Sequence, residues 1–131
     1  MMTACSHAAP VSHPYTGRLH VTFAQGAWTM SPAPAGVHTR QSLAEAEARA
    51  HSQSAELGGA HTRVYFGLFT GADDLGAKHA DTTGWLVVGT HVRFPNTYPA
   101  RYGYGFTAFA DDLTVPWVAV HLTIARPPAV Y

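Results

Sequence analysis

Polar and apolar residues alternate over residues 18–23, R-L-H-V-T-F, which is the mark of a half-buried strand. Four later runs are rich in β-branched and aromatic residues and predict further strands over 63–70, 85–94, 101–109 and 117–125. Between them lie short, turn-rich links. Residues 30–36, with Pro32 and Pro34 two apart, read as a loop, because closely spaced prolines cannot pair in the middle of a ladder.

The period changes at residue 42. Ser42-Leu43-Ala44-Glu45 fits a capping box, in which the Ser hydroxyl accepts from the Glu45 amide and the Glu carboxylate reaches back to the Ser42 amide. Leu43, Ala46, Ala50 and Leu57 then recur near one face at helical spacing, and Gly58-Gly59 supplies a left-handed stop. The apolar stripe is mostly alanine, so this helix should lie close to whatever it covers.

The order β-α-β-β-β-β predicts a two-layer α+β fold: one mainly antiparallel, curved, five-stranded sheet with a single helix on a face. Short links make the last four strands a meander. If the first strand joins the same sheet, the helix is a right-handed crossover. One helix, about 10 Å across, cannot cover five strands spanning about 24 Å. Curling of the sheet, the terminal arms or a second subunit must cover the rest. Residues 1–16 read as a flexible arm, 17–126 as one domain and 127–131 as a tail after the last strand.

A chain of 131 residues with 47% hydrophobic content and 12% charge is a folded domain of ordinary size. Its charges balance, Lys+Arg 8 against Asp+Glu 8, which gives no support to phosphate-driven nucleic-acid binding. Only Lys78 is a lysine, and with abundant Ala and Gly this composition suggests a GC-rich bacterial or phage genome. Cys5 is the only cysteine, so neither an internal disulfide nor a cysteine-rich zinc site is expected. The start of the chain has no basic n-region followed by an apolar stretch, and no apolar run is long enough for a membrane helix, so the expected location is the cytoplasm.

Two stretches resemble each other: residues 63–75, RVYFGLFTGADDL, and 101–113, RYGYGFTAFADDL. In a meander, both Ala-Asp-Asp-Leu turns fall at one end of the sheet with one strand between them, about 10 Å apart. A loop leaving the first strand at that end would bring His38 there too. His38, Asp73, His79 and Asp111 are then candidate ligands for a divalent cation in a hydrolase-like site. A second candidate set is His20, His91 and His121, each on the more polar face of its strand. Nine histidines in so short a chain make such groupings unspecific, and no metalloenzyme motif is present.

Residues 102–109, YGYGFTAF, resemble the RNP1 strand of RNA-recognition motif domains, in which aromatics on one sheet face stack on bases. That resemblance implies single-stranded RNA as partner. Tyr102 stands where the pattern has a basic residue, Thr107 replaces its aliphatic, and the family's second helix has no room before the last strand. Nucleic acid is therefore disfavoured. An aromatic pocket for a small ligand is a further alternative.

The expectation that needs no motif is an association surface. An aromatic sheet face that one helix cannot cover marks a protein interface. Tyr102, Tyr104, Phe106 and Trp85 are its expected contact residues. The reading favours a small non-enzymatic binding protein, without cofactor, that engages a protein partner and forms a homodimer.

Overall fold

The computed structural model describes residues 14–23, 25–53, 61–73, 75–94, 96 and 98–123. They form β1 (Leu19–Phe23), β2 (Gly26–Ser31), α1 (Leu43–Gln53), β3 (His61–Ala72), β4 (Lys78–Arg93), β5 (Tyr102–Ala110) and β6 (Val118–Thr123). The strands lie side by side in chain order, and every neighbouring pair is antiparallel. The fold is α+β as expected, with six strands in place of five.

The added strand is β2. Its sequence, G-A-W-T-M-S, sets Trp28 and Met30 against Thr29 and Ser31, so the alternation is present but short. β2 turns back on β1 from the pair Phe23↔Gly26. The expected loop over 30–36 thus begins only at Pro32. This strand also corrects the connection through the helix. α1 joins β2 to its antiparallel neighbour β3 and is not a parallel crossover.

Curling solves the coverage problem. β2 and β5 are three strands apart, about 14 Å in a flat sheet. Yet the Trp28 ring lies 5.8 Å from that of Phe106 and 5.2 Å from that of Trp117, just ahead of β6. Trp117 stacks on Phe69 at 4.4 Å. The sheet therefore folds over itself, and Trp28, Met30, Phe69, Leu86, Phe106 and Trp117 share one buried cluster on its concave side. The close approach of β2 to β3 depends on Gly71, which pairs with Trp28 and has φ 109°; a Cβ there would stand 2.5 Å from the Ala27 carbonyl oxygen.

α1 covers the convex side. The capping box forms in both directions: Ser42 N donates to Glu45 Oε1 at 2.8 Å, and Glu45 N donates to Ser42 Oγ at 3.1 Å. Ala46 and Ala50 are fully buried against Val64, Phe66, Trp85, Val87 and Phe109. Small side chains let the helix axis approach, so the large residues under it come from the sheet. Leu57 and the Gly58-Gly59 stop lie outside the described residues.

At the start of the described chain, Tyr15 is buried in the concave cluster, and its amide donates to the Phe66 carbonyl at 2.9 Å. Burial first, and then the neighbouring Tyr65, raise its phenol above the usual tyrosine range. Residues 1–13 and the tail 127–131 lie outside the described residues.

Candidate functional site

β2 pairs with β3 only as far as Ser31↔Leu68. Beyond that level cross-strand register lays out rows that run from the buried cluster towards exposed residues. Val88, Phe106 and His121 form one row, Thr90, Tyr104 and Thr123 the next, and Arg93 and Tyr102 the last. Arg63 joins the first row through its pairing with Val88.

Exposure rises along these rows. Phe106 is 4% exposed and forms the floor, where the His121 ring stacks on it at 5.3 Å. Tyr104 is half-buried, and Tyr102 is 41% exposed. The His91 ring lies parallel to Tyr102 at 4.2 Å, held there by a bulge in β4 at which His91 has φ 60°. Tyr98, in the link between β4 and β5, is fully exposed. The open half of the face therefore carries aromatic rings beside the exposed cations Arg63 and Arg93. Such a surface offers stacking, hydroxyl hydrogen bonds and guanidinium pairing together.

Of the expected contact residues, Tyr102, Tyr104 and Phe106 share this face, with Gly103 and Gly105 on the other by alternation. Trp85 does not join them. It pairs with Phe109, sits 1% exposed under α1, and packs edge-on against Phe66 at 5.1 Å. The strand's alternation puts it beside Val87 on the convex side.

The two acidic turns do lie at one end of the sheet, on either side of β4. Their expected separation of about 10 Å is wrong, because β4 outruns β5. Ala72 pairs with Lys78, whereas Ala110 pairs with Gly84, six residues further along β4. That offset is about 20 Å of extended strand.

Each aspartate has its own partners. Asp111, 4% exposed, accepts from Arg40 N at 2.6 Å, Gln41 N at 3.1 Å and Trp85 Nε1 at 2.8 Å. Gln41 Nε2 adds a bond to the Asp111 carbonyl. Asp73, 2% exposed, accepts from the Leu75 and Ala77 amides, each at 3.0 Å, and contacts His79 Nε2 at 3.0 Å. Burial pushes the Asp73 carboxyl up, but the hydrogen bonds from His79, Ala77 and Leu75 and the nearby imidazole outweigh it, so it stays below the usual carboxylate range. Asp112 is also held low, by its bonds from the Thr114 hydroxyl and amide and, less, by Arg40.

The expected metal set is thereby divided. Asp73 and His79 meet at one hairpin tip, Asp111 ties down the loop ahead of α1, and His38 is exposed in that loop. The three strand histidines are separate as well: His20 bonds Thr29 Oγ1 at 2.9 Å, while His91 and His121 stack on different rings. Among the described residues no group of three or more His, Cys, Asp or Glu is placed to hold a metal ion.

Register was the information missing from the sequence. Arg63, Arg93, His91 and His121 belong to the aromatic face only because particular strand positions stand opposite one another. The class defined by this arrangement is a curled antiparallel α+β sheet with one open, aromatic, arginine-bearing half-face. Comparison with protein-family models, with curated proteins and with solved structures finds no match. Among the described residues no helix is long and apolar enough to cross a membrane.

Proposed function

We propose that this chain is a non-enzymatic binding protein that engages a protein partner, in the first instance a second copy of itself, through the open half of its concave face. The observation that carries the reading is the graded row from buried Phe106 through half-buried Tyr104 to Tyr102, exposed and stacked with His91. Aromatic rings that are rigidly seated and partly dry lose little freedom on contact, which is why Tyr and Arg anchor interfaces. Dimerisation across a two-fold axis would cover such a face with its own equivalent. A cytoplasmic location and a bacterial or phage source belong to the same proposal.

The test is light scattering after size exclusion, over a range of protein concentrations. The wild-type chain should self-associate. The Tyr102→Ala/Tyr104→Ala double variant should be monomeric and still folded. A wild-type chain that is monomeric at every concentration overturns the self-association. Association that the double variant retains removes the aromatic face as its site.

A further inference from the structure

Charge on the aromatic half-face has one sign. Arg63 and Arg93 are its exposed cations. His91 and His121 are exposed too, and rings of β5 seat them: His91 lies parallel to Tyr102 at 4.2 Å, and His121 stacks on Phe106 at 5.3 Å. The described acids are elsewhere. Asp73, Asp111 and Asp112 belong to the two acidic turns at the far end of the sheet, and Asp81 lies in β4 near that end. Glu45 caps α1, and Glu47 of the same helix accepts from Thr62 Oγ1 at 2.6 Å. Glu56 and Asp74 lie outside the described residues. Among the described residues the half-face therefore bears guanidiniums, imidazoles and phenols, and no carboxylate.

A two-fold contact, on which this inference rests, sets that face against its own equivalent. Like charges brought together across an interface oppose it. A histidine side chain gains its charge between about pH 8 and about pH 5. The described groups that face the two imidazoles are aromatic or cationic. His91 has the Tyr102 ring against its own, Arg93 two places along β4, and Arg101 exposed just ahead of β5. His121 has the Phe106 ring against its own and Tyr104 in the adjoining row, and Arg63 stands in the His121 row on β3.

We infer that acid switches off the self-association proposed above, through His91 and His121. Uncharged, the two imidazoles add flat ring area to the contact. Charged, they add to the repulsion from Arg63 and Arg93 on both copies at once. The chain is paired above the histidine range and single below it.

Sedimentation equilibrium of the full chain tests the switch. The wild-type dissociation constant should rise about tenfold or more as pH falls from about 8 to about 5.5. The His91→Gln/His121→Gln variant should hold its constant within about threefold over that range, having no imidazole on the face to charge. The His38→Gln/His51→Gln variant changes two exposed histidines off the face and should keep the wild-type rise. At the acid end, added salt should restore part of the wild-type association by screening. Near-UV circular dichroism should be the same at both ends, so that the contact is lost and not the fold. Equal wild-type constants at the two pH values overturn the switch and leave the association standing. A rise that the His91/His121 variant retains, or that comes with a changed spectrum, also overturns it. The salt response tests the charge even where the double substitution itself prevents pairing: no recovery with salt in acid overturns the role of charge. Association that tightens in acid means that the basic face meets the acidic end of the next copy, and it overturns the two-fold contact. A chain that is monomeric even at about pH 8 overturns the switch together with the proposed association.

Discussion

Asp73 and Asp111 begin two turns with the same four residues, Ala-Asp-Asp-Leu, at the same end of one sheet, and they do different work. The donors to Asp73 lie two, four and six residues ahead, so it closes its own hairpin tip. The donors to Asp111 come from the loop before α1, about seventy residues earlier, and from the neighbouring strand. It joins the end of β5 to the start of the helix and to the tryptophan beneath it. The difference follows from position. The tip of the β3–β4 hairpin projects past β5, and there Asp73 takes its donors from its own turn, whereas Asp111 sits where the helix layer begins.

The comparison can be broken most directly at Asp111. Asp111→Ala strands three donors in a largely dry site, and each unpartnered buried group costs about 1–3 kcal/mol, so urea unfolding should show a loss of about 4 kcal/mol. Asp73→Ala should cost about 2 kcal/mol at most, because water can reach an opened hairpin tip. Equal losses would erase the distinction.

Acid sharpens it. Asp73 has its folded value held below the ordinary 3.8. Its stabilisation is therefore complete above the ordinary value and is lost as pH falls through the folded one. The stability gap between wild type and Asp73→Asn should shrink as pH falls below about 4.

Trp85→Phe keeps a ring under α1 but removes the indole donor, and should cost about 1 kcal/mol. The same change in an Asp111→Ala background should cost less, since the partner is already gone. Arg40→Ala removes only a 3.9 Å contact between exposed side chains, with the Arg40 amide to Asp111 retained. Its effect should be within about 0.5 kcal/mol.

Much of the architecture was legible from local pattern. The capping box at Ser42 and Glu45 needs only four residues, and it formed as written. The shared face of Tyr102, Tyr104 and Phe106 needs only the two-residue period of a strand. β2 is hidden in the sequence because its alternation is brief and the prolines after it dominate the segment. An aromatic residue in a strand, such as Trp85, gives no sign of which face it takes until its neighbours are placed. The turns at Asp73 and Asp111 looked equivalent because nothing in either stretch records that β4 is longer than β5.

The sequence by itself determined the class of fold, the helix and its start, most of the strands and the alternation within each. These depend on residue period, β-branching and caps, all of which act over a few neighbours. Only the tertiary structure decided the curl that buries Trp28 on Phe106, the six-residue offset between the acidic turns, and the half-face left open with Tyr102 and Arg93. Those depend on strand length and register, which are set by pairing between distant segments and by how far a short strand reaches across its neighbour.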